Sequence, residues 1–119
     1  MNEVNREVIE NVLNKMAVDY ATWSERAQKI AQYDHNKDKV WAHWYDEYKV
    51  NTDFKVGRNY VKLMHNGSAV GFIVVSKKDK MFAYGDLLKA ASWSAPACNF
   101  PRGNALSNMP KAIAWTGIQ

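Results

Sequence analysis

The stretch NYVKLMHNGSAVGFIVVS, residues 59–76, decides how the rest of the chain reads. Asn59 to His65 is dense in strand formers, and Asn66-Gly67 follows directly. Asn-Gly between two apolar runs is a strong hairpin signal, because both turn positions need positive φ. Ser68 to Ser76 returns as the partner strand, and the run Phe72, Ile73, Val74, Val75 predicts burial on both faces of a sheet.

Toward the N-terminus the character changes. All six glycines and all three prolines lie at or beyond Gly57, so an architectural boundary is expected near Asp53 to Gly57. Val4, Val8, Ile9, Val12, Leu13, Met16, Tyr20, Trp23, Ala27, Ile30 and Ala31 recur at steps of three and four. That spacing predicts one long helix over about residues 3–33, capped by Asn2, with Glu3, Glu7 and Glu10 complementing its dipole. Asp34, His35 and Asn36 read as the break. Val40, Trp41, Trp44, Tyr45 and Tyr48 predict a second helix over about 38–50. Aromatics at helical spacing bury large areas and are read as core rather than as a stacking platform. A helix with one apolar stripe must cover it, by bracing the sheet or by forming a homo-oligomer through the N-terminal helix.

Beyond the hairpin, Ser76 to Lys80 is a polar loop, Met81 to Tyr84 reads as a short third strand, and Gly85-Asp86 turns into Leu87 to Ala91. Leu87 to Trp93 is read as strand, although its alanines also fit two helical turns. Asp86, in turn context, is expected to bond nearby backbone amides. Residues 94–111 carry three prolines, Gly103, three asparagines and two serines with no period, which predicts a long Pro-rich loop. Ile113, Trp115 and Thr116 read as a last strand. The expected fold class is α+β, with a long helix plus a shorter helix in residues 1–52. A small antiparallel curled sheet or SH3-like barrel follows in residues 53–119.

The order GRNYVKL, a hairpin, FxxGDLLKAASWSAPAxNFxRGN and a terminal WTG resembles small uncharacterised proteins encoded by tailed bacteriophages. The matching residues are Gly57 to Leu63, Phe82 to Asn104 and Trp115 to Gly117. The resemblance covers roughly the second half, implies a phage origin, and transfers no catalytic residue because no activity is attached to the family.

Composition points to an ordinary globular chain, 47% apolar and 24% charged, with no apolar run near the roughly 20 residues of a membrane span. Residues 1–20 carry no continuous apolar core of a secretory signal. With one cysteine, Cys98, an internal disulfide is excluded and a cytoplasmic setting is the default. That means host cytoplasm if the chain is phage-encoded, with virion association as an alternative. His35, His43 and His65 sit apart, so no metal site is expected, and no phosphate-binding glycine loop is present. Cys98 is read as a small buried hydrophobe rather than a nucleophile. No catalytic residue and no cofactor are expected.

The net charge of +4 is uneven: residues 1–56 hold eight Lys/Arg against ten Asp/Glu, and residues 57–119 hold eight against two. This imbalance points to a polyanionic partner. The expected nucleic-acid-binding residues are Arg102, Lys62, Lys77, Lys78, Lys80, Lys89, Trp93 and Phe100, combining cations for phosphates with rings for bases. Tyr60, Phe82 and Tyr84 lie among them. Arg102 leads, because Gly103 beside it lets backbone approach a ligand. A protein partner met by the same loop is the alternative.

Overall fold

A computed structural model describes residues 3–29, 37–77, 81–92, 95–98, 100–106 and 113–119. The chain is α+β, with two helices followed by an antiparallel sheet. The helix α1 spans Arg6–Lys29. It begins later than the periodicity predicts, because its cap is Asn5 rather than Asn2. The Asn5 carbonyl accepts the Ile9 N–H at 3.1 Å, and Asn5 Oδ1 accepts the Val8 N–H at 3.0 Å. The first of these is the opening bond of the helix, and the second satisfies one orphan amide of its first turn. The expected break at 34–36 lies outside the described residues.

The second helix, α2, spans Lys37–Val50 and runs antiparallel to α1. Trp41 Nε1 donates to Thr22 Oγ1 at 3.2 Å at one end, and Lys49 Nζ meets Glu10 Oε1 at 3.0 Å at the other. Between them Tyr20 packs edge-on to Trp44, with ring centroids 5.9 Å apart, and lies 5.2 Å from the Tyr48 ring. The helix closes when Thr52 Oγ1 donates to the Lys49 carbonyl and Asn51 Nδ2 to that of Glu47.

Strand β1, Thr52–Val56, starts at once, where the sequence reading has only a boundary. It pairs with β2, Tyr60–His65, across a tight connection at Arg58 and Asn59 in which the Gly57 N–H reaches the Tyr60 carbonyl at 2.9 Å. The Asn66-Gly67 turn has φ of 52° and 78°, as the hairpin reading requires, and leads into β3, Ser68–Val74. Leu87–Leu88 forms β4 on the far side of β3. Among the described residues the strand order is β1-β2-β3-β4, the small curled antiparallel sheet that the sequence reading expects.

The expected strand at Met81 to Tyr84 does not form. That segment is bent, and Ala83 N–H is taken by Asp86 Oδ2 at 2.9 Å instead of by a neighbouring strand. Leu87 to Ala91 is extended, not helical, but only its first two residues belong to the sheet, followed by an isolated bridge between Ala90 and Pro96. The last expected strand is instead a hairpin: β5, Ile113–Ala114, and β6, Gly117–Ile118, turn at Trp115 and Thr116.

Alternation along the strands separates two faces. On one, Val61, Leu63, Ile73 and Leu87 pack with Ile9, Val12, Leu13, Met16 and Ala17 of α1, joined by Tyr48, Ala105, Ile113 and Ile118. Each valine, leucine, isoleucine or methionine of this set contributes about 1.5–3 kcal/mol when fully buried. Both sides of the boundary near residue 52 therefore feed one core, in which Ile9, Val12, Leu13, Met16 and Ala17 of α1 are covered within the chain. Trp23, counted in that stripe from its spacing, is instead 52% exposed. On the other face Phe72, Val74, Phe82 and Leu88 cluster with Tyr60, Ala69 and Ala90. Burial of Phe72, Ile73 and Val74 together fits the two-faced run read from the sequence.

Candidate functional site

The segment Tyr84 to Asn104 is a structural junction. Asp86, 9% exposed, accepts the Ala83 N–H on one carboxylate oxygen and Asn104 Nδ2 on the other at 3.0 Å. Asn104 Nδ2 also reaches the Tyr84 carbonyl at 2.9 Å, and its Oδ1 accepts the Leu106 N–H at 2.8 Å. Tyr84 in turn accepts the Val4 N–H on its hydroxyl at 3.0 Å. The loop then covers the open side of β4: Arg102 N–H donates to the Leu87 carbonyl at 2.7 Å, and Leu87 N–H to that of Gly103 at 2.8 Å. Asp86 thus bonds the amides its turn context leads one to expect.

These bonds redefine Arg102. Its guanidinium lies 3.9 Å from the centre of the Phe100 ring, Nε donates to the Phe100 carbonyl at 3.2 Å, and Nη1 donates to the Gln119 backbone oxygen. The side chain expected to lead ligand binding therefore ties its own loop to the hairpin strand β6. Phe100, although 54% exposed, is the ring beneath it. Lys77 projects over the Tyr84 ring at 5.2 Å, and Lys89 is exposed just after β4. Lys78, Lys80 and Trp93 lie outside the described residues. Cys98 is exposed rather than buried, with Sγ 3.7 Å from the Pro96 carbonyl oxygen. Among the described residues no three His, Cys, Asp or Glu side chains converge as metal ligands, and no helix is long and apolar enough to cross a membrane.

Of the expected site residues, Lys62 stands in a different constellation. Pairing β1 with β2 sets Lys55 directly opposite Lys62. Side chains so placed leave the sheet about 5 Å apart, and like charges there cost up to about 1 kcal/mol. A cleft of about 370 Å³ opens beside them, lined by Lys55, Arg58, Asn59, Tyr60, Lys62 and Phe72, with Val56 and Gly57. Among the described residues its lining includes three cations and no carboxylate. Tyr60, half-buried, meets the buried Phe72 edge-on with centroids 6.0 Å apart, so its ring is fixed from one side. Arg102 sits alongside β4, at the opposite edge of the sheet from this cleft. With neighbouring strands about 4.8 Å apart, Lys62 on β2 is three strand spacings from the Arg102 segment and Lys55 on β1 is four. Among the described residues, Arg102 and the Lys55–Lys62 pair therefore lie apart on the sheet.

Sequence reasoning missed Lys55 and Arg58 as site residues. Lys55 falls on the acidic side of the charge division, and only strand register brings it to Lys62. Tyr48 and His65 stack with centroids 3.9 Å apart. Tyr48 donates its hydroxyl to the Trp115 carbonyl at 2.6 Å, and burial, aided by Asp19 and Tyr20, pushes its pKa well up. Burial lowers the pKa of His65. Both are core features rather than parts of the cleft. No family model, curated protein or solved structure matches the chain.

Proposed function

We propose that this is a small nucleic-acid-binding protein, phage-encoded as its C-terminal resemblance implies, that contacts phosphates through the outer face of the β1–β2 hairpin. The observation carrying this reading is the facing pair Lys55 and Lys62 with Arg58 around one cleft, whose lining among the described residues holds no carboxylate. Three cations around one cleft offer an anion several charge-assisted hydrogen bonds at once. The chain's net charge of +4 would assist encounter.

Salt dependence tests the idea. With three cations engaged on a single strand, the logarithm of affinity should fall against the logarithm of salt with a slope of roughly −2. Lys55→Gln with Lys62→Gln should flatten that slope to about −0.7 while leaving stability unchanged or slightly raised. Gel mobility and fluorescence anisotropy unaffected by either DNA or RNA at low salt would remove the proposal.

A second reading, a phage structural or host-protein-binding accessory protein, rests on a different observation. Trp23 is 52% exposed with its ring 5.3 Å from that of Trp115, and neither ring lines the cationic cleft. Association through that surface should be insensitive to salt and abolished by Trp23→Ser.

A further inference from the structure

We infer that the hairpin cleft receives an unpaired base, so that the ligand is a single strand and not a duplex; this rests on the nucleic-acid reading above. Three features carry it. The cations do not stand alone: Tyr60 lies among Lys55, Arg58 and Lys62, and a half-exposed ring held in place is what a base stacks upon. Phe72, 2% exposed and 6.0 Å away, supports Tyr60 edge-on, so ordering that ring on binding costs little. The volume of about 370 Å³ is near the lower end for small-molecule clefts, which suits one nucleotide.

The fold also argues against a duplex. A two-stranded ribbon can enter the major groove. Here, however, β2 is paired to β3 as well as to β1, and Phe54, Val61 and Leu63 pack toward α1. The hairpin is therefore part of a broad layer, with one face already covered. Its cations present a line along which a flexible backbone can be laid, with a base turned inward to Tyr60.

The experiment uses the intact protein and three fluorescent probes of equal length: single-stranded oligothymidine, the same strand with its bases removed, and a duplex. Single-stranded oligothymidine should bind roughly 5- to 150-fold more tightly than the abasic strand, the range one stacked base provides. Tyr60→Phe should keep that ratio and Tyr60→Leu should collapse it. Because Tyr60 also touches the Phe72 cluster, the melting temperature of each variant is measured alongside, and the abasic comparison on unaltered protein stands whatever the variants do. Equal affinity for intact and abasic strands, with steep salt dependence retained, would overturn the base-stacking inference and leave phosphate binding standing. Tighter binding of duplex would overturn it in favour of groove entry by Arg58 and Asn59. Binding of none of the three at low salt would remove the function itself.

Discussion

Gly71 lies in β3 opposite Leu63, beneath the β5–β6 hairpin, and Gly71→Ala tests how tightly that hairpin is seated. A Cβ placed there would overlap Ile118 Cγ1, and would stand 3.1 Å from Ile118 Cβ and 3.4 Å from Cδ1. Turning the Ile118 side chain relieves the first contact but not the second, because Cβ is fixed by the backbone. The hairpin must therefore lift, and Ile118, 2% exposed, must loosen within the main core. Overpacking of this kind costs about 1–3 kcal/mol. Reduced freedom of the unfolded chain offsets about 0.4–1 kcal/mol of it. A net loss of about 1–2 kcal/mol remains, or roughly 3–12 °C in Tm for a chain this size. Urea unfolding followed by tryptophan fluorescence measures it. Ile118→Ala alone should cost about 2–5 kcal/mol. In the double variant the new methyl enters the space vacated, so the two losses should fall short of additivity by about 1 kcal/mol. A neutral or stabilising Gly71→Ala, strictly additive with Ile118→Ala, would show that β6 does not press on β3 at this point.

Three further outcomes are expected. Asn104→Ala should destabilise by about 2–3 kcal/mol, since it orphans Asp86 Oδ1, the Tyr84 carbonyl and the Leu106 amide together. Asn104→Asp should be worse at neutral pH, setting two carboxylates side by side, and should recover on acidification; thermal melts at two pH values decide. Arg102→Ala should lower stability by about 1–2 kcal/mol and leave oligonucleotide affinity unchanged. The reverse pattern, intact stability with lost binding, would return Arg102 to the interface. His65 has a folded pKa below its unfolded value of about 6.5, so its contribution is present above that pH and is lost as pH falls through it toward the lower folded value. His65→Phe keeps a ring over Tyr48 and should flatten the melting temperature across that window.

What the sequence reveals depends on how local the cause is. The Asn66-Gly67 turn, the two-faced burial of Phe72 to Val74 and the carboxylate role of Asp86 were all legible, because each is fixed by a few neighbouring residues. Strand β1 was not, because TDFKV carries an acid and a lysine and follows α2 without a glycine or proline to announce it. Met81 to Tyr84 misled in the other direction: strand-forming side chains occupy a bend set by Asp86 and Gly85, whose N–H reaches the Val74 carbonyl at 2.7 Å. The candidate site was half visible. Lys62 and the rings near it were readable, yet the opposition of Lys55 to Lys62 exists only through pairing. Arg102 shows the same limit, since its partner Gln119 lies 17 positions on, at the end of a separate hairpin.

The hairpin at residues 113–118 also governs when this molecule can fold. The Trp115 N–H bonds the Asp19 carboxylate across 96 positions, and Ile113 and Ile118 complete a core begun by Ile9 and Val12. Contacts so distant in sequence close slowly, since the intervening chain must be ordered first. During synthesis the early helices therefore wait with an uncovered apolar flank until residues 113–118 have left the ribosome. That interval is when a chaperone would engage the newborn chain and when aggregation would compete most strongly with folding.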